Sequence, residues 1–170
     1  KLDNPFARQK AAPEVMKKAQ AAADERMRQH WKIEDGTLVF DGKGDSLCTV
    51  RDNYGDFEMY VDWKILPKGD SGIYLRGTPQ VQIWDKNQVF DPKKPDRKPH
   101  LGSGGLFNNT PGAPGRDPLV LADKPFGEWN QCRIRQIGAR TWVWLNGKLV
   151  VDGNTMENFW DRTQPLPAKG

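Results

Sequence analysis

The sequence is poor in the residues that most often bind metals or form crosslinks. Only two cysteines, Cys48 and Cys132, and two histidines, His30 and His100, occur among its 170 residues. Two cysteines without metal-ligand spacing argue against a zinc site, because structural zinc sites use four Cys or His ligands. Both cysteines lie in apolar, strand-like segments, so we expect two separate buried thiols. A single disulfide is the alternative if the two strands meet.

Long hydrophobic runs are also absent. No stretch approaches the roughly 20 apolar residues that a membrane-spanning helix needs, so we expect no membrane span. The chain has 26 Lys and Arg against 22 Asp and Glu, which gives a formal net charge of +4. These charges are mixed along the chain, and no basic run alternates with aromatic residues. We therefore expect no nucleic-acid partner.

Glycine, proline and tryptophan are plentiful. The sequence holds 17 Gly, 13 Pro and seven Trp, a composition typical of many short strands joined by tight turns. Before the first strand-like segment, residues 13–30 predict a helix that begins with Pro13 and Glu14 and has only a thin apolar stripe. We expect an N-terminal segment, residues 1–30, with this surface helix, followed by a β-sandwich domain, residues 31–170.

From Trp31 onward the apolar residues recur with a period of two. Residues 57–64 alternate cleanly, which predicts one core face and one polar face, and Asn146-Gly147 between two apolar runs predicts a tight hairpin. We expect Trp31, Trp63, Trp142 and Trp144 to lie in the core. The predicted strands are 31–34, 37–40, 46–50, 57–66, 72–76, 80–85, 104–107, 119–121, 130–137, 141–146 and 148–151. Together they predict an all-β fold, an antiparallel jelly-roll β-sandwich with one N-terminal surface helix.

The segment from Ser71 to Asp85 is rich in polar side chains for a pair of strands. Alternation places Tyr74 and Arg76 on one face of the first strand and Gln80 and Gln82 on one face of the second, with Gly77-Thr78-Pro79 as the turn. A sheet face with an aromatic ring, a guanidinium and two amides is poor core material. It suits a polyhydroxylated ligand, because sugar hydroxyls need donors and acceptors and sugar C–H faces need a flat ring.

Proton-transfer groups are sparse around this segment. Asp62 and Asp85 are candidate bases or metal ligands, and His100 in the following long loop is a candidate for moving a proton, as histidine side chains can do near neutral pH. Arg76 could donate to ligand oxygens or pair with Asp62 or Asp85, and the two roles are compatible. We expect a site on one sheet face formed by Asp62, Tyr74, Arg76, Gln82 and Asp85, with Gln80 beside it.

Five motifs in order resemble one known family: SGIYLRG, QVQIWD, GSGGLFNN, GEWNQCRI and WVWLNGKLVVDG. They are similar to the 3-keto-disaccharide hydrolase domain family, from about Trp31 to Gly170. The resemblance implies a concanavalin A-like lectin/glucanase sandwich, a periplasmic or secreted location and cleavage of glycosides with a ketone at C3. Where the family commonly has Glu-Val-Gln-Ile, this chain has Gln80-Val81-Gln82-Ile83, so a carboxylate role at position 80 is in doubt.

The implied chemistry starts with removal of the hydrogen at C2, which the ketone acidifies, and continues with loss of the aglycone from C1. Asp62, Asp85 and His100 could supply proton transfer, and Arg76 or a divalent metal could stabilise the enolate. A non-catalytic carbohydrate-binding module is the alternative, since the same sandwich serves lectins. A retaining glycosidase is disfavoured, because it needs a close pair of carboxylates and QVQIWD has only Asp85.

Members of this family usually carry further strands before and after the stretch that this chain matches. A sandwich that lacks a strand leaves unpaired backbone edges. We therefore expect the native fold to include residues beyond both ends of this sequence, or a covering chain or self-association at open sheet edges.

Overall fold

The computed structural model describes residues 8, 10–51, 53–77 and 79–169, and the chain divides into two compact units, residues 1–50 and 51–170. The first unit contains helix α1 (Pro13–His30) and the hairpin of β1 (Trp31–Glu34) and β2 (Thr37–Phe40). No residue of α1 is buried, which confirms the predicted surface helix. In the described part of the chain no helix is both long and apolar enough to cross a membrane. The predicted domain boundary after residue 30 stays a prediction.

The second unit contains six strands: β3 (Phe57–Trp63), β4 (Asp70–Tyr74), β5 (Gln80–Trp84), β6 (Asn130–Ile137), β7 (Arg140–Leu145) and β8 (Lys148–Thr155). A four-stranded antiparallel sheet has the order β3-β6-β7-β8, and β4 pairs with β5 in a separate antiparallel hairpin. Thr78 of the predicted turn lies outside the described residues. The loop segment Gly104-Gly105 bonds to the backbone of Gln82, at 2.8 and 2.9 Å, and extends this hairpin sideways.

The two sheets enclose one hydrophobic core, so the predicted β-sandwich is confirmed. The four-stranded sheet contributes Ile134, Val143 and Val151, and the hairpin side contributes Val81 and Ile83. The inward face predicted for β3 is also confirmed, since its alternate residues from Phe57 to Trp63 pack against this core. The jelly-roll arrangement of the connections stays a prediction.

Three predicted strands are wrong. Residues 46–50 form no strand, and all of them are exposed. Residues 104–107 and 119–121 also form no strand. Isolated backbone bonds tie them to neighbouring strands, such as the bond from the Leu119 amide to the Val150 carbonyl. Short apolar runs cannot by themselves distinguish a full strand from a loop that follows a strand edge.

The predicted hairpin at Asn146-Gly147 is confirmed. Both residues have positive φ, 51° and 79°, as the two-residue turn between antiparallel strands β7 and β8 requires. The Asn146 side chain then donates to the Ala122 carbonyl and to Asn130 Oδ1, at 2.7 and 2.8 Å. The turn is therefore also a fixed point for the neighbouring loop and strand.

Trp63 belongs to the predicted core, but the other three tryptophans predicted there lie outside it, and Trp31 is half-buried on β1. Trp142 and Trp144 are half-buried on the outward face of the four-stranded sheet, where arginines cover them. The Arg133 guanidinium lies 4.4 Å from the Trp144 ring centre, and Arg140 lies 5.5 Å from that of Trp142. Cation–π contacts of this kind let a tryptophan leave the core while its ring stays partly shielded from water.

The two cysteines are free and differ in exposure. Cys132 on β6 is buried, as predicted, but Cys48 is exposed, so the prediction of two buried thiols is wrong for Cys48. Burial raises the pKa of the Cys132 thiol to about 12, and the negative charge of Asp62 acts in the same direction. Because the folded state holds this proton more tightly, the group's contribution to stability is lost as the pH rises from about 8.5 through 12.

We predict that Ile134→Ala and Ile137→Ala on β6 differ sharply in their effect on stability. Ile134 is 0% exposed and Ile137 is 42% exposed. Loss of the buried side chain leaves a cavity and should lower the free energy of unfolding by about 3 kcal/mol, whereas the exposed change should stay within about 0.5 kcal/mol. Urea denaturation of the two variants measures both. Equal losses would contradict the position of the core.

We predict that a thiol-alkylating reagent at pH 8 modifies Cys48 quickly in the folded protein and leaves Cys132 unmodified. The thiolate is the reactive form, and Cys132 is both buried and held protonated. Mass spectrometry of peptides after timed alkylation measures this, with urea-unfolded protein as the control in which both react. Rapid labelling of Cys132 in folded protein would contradict the buried position of β6.

Candidate functional site

The two faces of the β4–β5 hairpin differ in chemistry. The register sets Asp70 opposite Trp84, Gly72 opposite Gln82 and Tyr74 opposite Gln80, so these residues share one face. The other face carries apolar residues such as Val81 and Ile83, which enter the core. We call the first of these surfaces the polar face. It comprises Asp70, Tyr74, Gln80 and Gln82, together with Arg97, whose side chain reaches it from a loop.

The polar face is held together by a chain of hydrogen bonds. Gln80 Nε2 donates to Gln82 Oε1 at 2.7 Å, and Gln82 Nε2 donates to Asp70 Oδ1 at 2.8 Å. The guanidinium of Arg97 binds Asp70 Oδ2. Each amide therefore has one defined orientation, since reversing either would set two donors or two acceptors against each other. These hydrogen bonds therefore fix the position of the Asp70 carboxylate relative to the buried amides of β5.

The glycine in the motif SGI has a direct role in this arrangement. A Cβ atom at Gly72 would lie 2.1 Å from Gln80 Oε1 and 2.9 Å from its Cδ. Any larger residue would therefore displace the Gln80 amide and break its bond to Gln82. A glycine inside a strand often marks a close approach of this kind, and here the approaching group is the Gln80 amide.

Access to the polar face is uneven. Tyr74 is 50% exposed, and the side chains of Asp70 and Arg97 are 48% and 22% exposed. Gln80 and Gln82 are buried behind them. A ligand would therefore meet an aromatic ring, a carboxylate and a guanidinium, with the two amides orienting these groups from below. Such a surface can stack on a sugar ring, bind hydroxyls and exchange a proton.

Trp84 connects the polar face to the long loops between β5 and β6, residues 85–129. The Arg97 guanidinium lies 5.5 Å from the Trp84 ring centre, and Phe107 meets the same ring edge to face at 5.2 Å. Arg116 lies 4.6 Å from the Phe107 ring and donates to the carbonyl and carboxylate of Asp96. The loops that follow β5 are thus anchored by alternating cations and rings, and Arg97 is held beside Asp70.

The Arg76 side chain is buried inside the protein and is not part of the polar face. It is 1% exposed, and it donates to the Gly55 carbonyl at 2.7 Å and to the Pro167 carbonyl at 3.2 Å. Its ion-pair partner is Asp56, so the predicted pairing with Asp62 or Asp85 is wrong. The Arg76 backbone has φ of 49°, a strained value for a non-glycine residue, which turns the side chain away from the strand's alternation.

Asp62 and Asp85 are also separated from the polar face, so the predicted grouping on one face is wrong for them. Asp62 is exposed on β3 of the other sheet, opposite Gln131. Asp85 is buried, and its two carboxylate oxygens accept from the backbone amides of Lys68 and Asn87. Arg76 follows β4 at the turn end of the hairpin and Asp85 follows β5 at its open end, so the length of β5 separates them. The roles predicted for all three residues stay predictions.

His100 is exposed on the short 3₁₀ turn Pro99–Leu101, in the loop that also carries Arg97. Within the described ranges, no group of three or more His, Cys, Asp or Glu side chains is placed to hold a metal ion. The sequence prediction therefore placed Tyr74, Gln80 and Gln82 correctly on one face and missed Asp70 and Arg97. Asp70 was outside the predicted strand 72–76, but the i, i+2, i+4 spacing of Asp70, Gly72 and Tyr74 was available as a signal.

Comparison with known proteins identifies a family and relatives for this chain. The profile of a family described as the 3-keto-alpha-glucoside-1,2-lyase-like domain matches residues 16–170. The chain is 30% identical over 139 residues to a 3-keto-disaccharide hydrolase of Bacteroides thetaiotaomicron. The match covers 65% of this chain and 45% of that protein. The chain thus spans less than half the length of this curated relative.

Two crystal structures of Parabacteroides distasonis proteins, each provisionally named a glycosyl hydrolase, have a similar fold. The first superimposes with a TM-score of 0.55 at 25% identity, covering 84% of this chain and 79% of that one. The second has a TM-score of 0.58 at 20% identity, covering 82% of this chain and 62% of that one. The second likeness concerns the fold alone.

We predict that Arg76→Met destabilises the protein by about 2–4 kcal/mol, because it leaves the Gly55 and Pro167 carbonyls without their donor and replaces a buried guanidinium. Urea denaturation measures the loss. Arg135→Met, at an exposed position of β6, is the control and should have little effect. A stable Arg76→Met protein that loses catalytic activity would instead restore the ligand-binding role predicted from the sequence.

Proposed function

Because the chain belongs to the 3-keto-α-glucoside-1,2-lyase-like domain family, we propose that it cleaves glycosides bearing a ketone at C3, with the sugar ring bound at the polar face. The observation that carries this proposal is the hydrogen-bonded series Gln80–Gln82–Asp70–Arg97, which ends in an accessible carboxylate and guanidinium. The name of the curated relative, a 3-keto-disaccharide hydrolase, supports the same substrate class.

The proposed reaction begins at the carbon next to the ketone. A base removes the proton from C2, and the electron pair moves into the C2–C3 bond to form an enolate on the C3 oxygen. The enolate then collapses, a double bond forms between C1 and C2, and the aglycone oxygen leaves C1 with its electron pair and takes up a proton. Addition of water across this double bond returns a 3-keto sugar, so the net result is hydrolysis.

The polar face, together with His100 on the neighbouring loop, can supply a group for each step. In this proposal Asp70 accepts the C2 proton, since it is the accessible carboxylate of the face. Arg97 binds the developing enolate oxygen, because a positioned cation stabilises charge where it forms. Tyr74 stacks on the sugar ring, and Gln82 orients Asp70. His100 remains the proposed proton donor to the leaving oxygen, because it is exposed on the loop that holds Arg97.

A divalent metal is not part of this route. The carboxylates predicted as ligands, Asp62 and Asp85, lie on different sheets, and Asp85 already accepts two backbone amides. The described residues therefore offer no ligand set, and we derive no step through a metal. Comparison of activity with and without a chelator tests this separately. From the family resemblance we also propose that the protein acts in the periplasm or outside the cell.

A carbohydrate-binding module without catalysis is the second proposal. The observation that favours it is that both carboxylate oxygens of Asp70 are already occupied, one by Arg97 and one by Gln82, until a ligand separates the pair. Such a module would bind the keto sugar and release nothing.

We predict that the protein releases the aglycone from a 3-keto glucoside and not from the parent glucoside. Deuterium at C2 should slow the release about two- to sevenfold if proton removal limits the rate. A glycosidase that attacks C1 would show almost no effect from the same label. Binding of the keto sugar without release would favour the carbohydrate-binding module.

Asp70→Asn should lower kcat by about 10²- to 10⁴-fold, because an amide cannot accept the proton. Asp152→Asn, an exposed acid on β8 that contacts neither the polar face nor its loops, is the matched control and should retain full activity. Asp62→Asn separates the two assignments: unchanged activity supports the polar face, and a comparable loss would return the base to Asp62.

A further inference from the structure

A cleft of about 290 Å³ opens where strands β3 and β5 end. Its walls are apolar and largely aromatic, formed by Trp63, Ile65, Trp84 and Phe126, and the side chains of Lys86 and Lys124 lie at its rim. Trp63 and Trp84 are buried, whereas Phe126 is 38% exposed, so the cleft has a rigid floor and an accessible side. This volume is near the lower end for small-molecule pockets, enough for one ring.

The polar groups around the cleft are unequally satisfied. Both oxygens of the Asp123 carboxylate accept from Ser103, and the Trp84 indole N–H donates to the Gly102 carbonyl. Lys86 makes one hydrogen bond, to the Asp123 carbonyl, and keeps two N–H groups. Trp63 Nε1 is buried with no hydrogen-bond partner among the described residues. Apart from the exposed Asn87 amide, which also lines the cleft, the groups left over are therefore donors, and a ligand here would need an apolar ring with an acceptor atom.

These features disfavour a second sugar ring in the cleft. A pyranose carries several hydroxyls that are both donors and acceptors, and each loses water when it is buried. At Asp123, which lines the cleft, the carboxylate and the carbonyl already accept from Ser103 and Lys86. A flat aromatic ring loses nothing comparable and gains contact with the indole and phenyl walls.

The cleft is continuous with the polar face through Trp84. Trp84 follows Gln82 by two residues on the same face of β5, about 7 Å along the strand. Its ring contacts Arg97 of the polar face and also forms part of the cleft wall. A sugar held over Gln82 and Asp70 thus has its next group, across one glycosidic bond, within reach of the cleft.

We propose that this cleft is the binding site for the aromatic aglycone of a glycoside whose sugar ring occupies the polar face. The inference rests on the proposed function for the sugar position, and the aglycone class follows from the cleft itself. Lys86 lines the cleft, and a cation there suits an aglycone oxygen that leaves with negative charge. The protein would then favour aryl glycosides over disaccharides.

Calorimetric titration with phenyl glucoside and methyl glucoside of the same anomeric form tests the cleft without catalysis, because neither carries the C3 ketone. The protein should bind the phenyl glucoside at least tenfold more tightly than the methyl glucoside. Phe126→Ala should weaken phenyl glucoside binding by about tenfold and leave methyl glucoside binding unchanged. Phe159→Ala is the matched control, since Phe159 is 39% exposed and lies outside the cleft.

Three results would overturn the proposal: equal affinity for the two glucosides, no measurable binding of phenyl glucoside, or unchanged phenyl binding in Phe126→Ala. A thermal melt of each variant checks that the fold is intact, and Ile65→Ala provides a second cleft variant if Phe126→Ala melts early. Failure of the proposed function has a different signature. In that case the phenyl preference persists while 3-keto phenyl glucoside is not cleaved.

Discussion

The polar face and the loops beside it depend on one set of contacts, those of the Trp84 ring with Arg97 and Phe107. Loops of this length have no regular backbone pairing of their own, so their positions must come from side chains. Here a buried indole on β5 holds Arg97 by a cation–π contact, and Phe107 extends the contact to Arg116 and the next loop. The same ring forms a wall of the aromatic cleft, so the proposed sugar and aglycone positions share one side chain.

A polar sheet face beside a hydrophobic core is stable only if its groups bond to one another. The amides of Gln80 and Gln82 satisfy this condition, and their geometry in turn requires the absence of a side chain at Gly72. The arrangement leaves the Asp70 carboxylate and the Tyr74 ring accessible while the groups that orient them remain dry. Preorganisation of this kind is what a reaction with a developing enolate needs, since the stabilising groups do not have to rearrange as charge forms.

The sandwich, the hairpin at Asn146-Gly147 and the polar character of β5 could be predicted because each is encoded locally, by period-two alternation or by turn residues. The partners of the charged residues could not. Arg76 leaves the strand alternation because its backbone turns at φ of 49°, and its partners Gly55 and Pro167 are 21 and 91 residues away in sequence. Arg97 lies in an irregular loop without any periodic signal, so its pairing with Asp70 depends on tertiary contacts alone.

The outward face of the four-stranded sheet shows how this protein limits unwanted association. Tryptophans on a flat, exposed sheet would form an adhesive patch, and such patches promote aggregation. Arg133 and Arg140 lie over Trp144 and Trp142, and Gly153 lets the Trp142 ring settle close to the backbone of β8. The guanidinium groups therefore shield the Trp142 and Trp144 rings from water and from other molecules. We therefore expect this surface to behave in solution as a charged one, although its strands carry tryptophans.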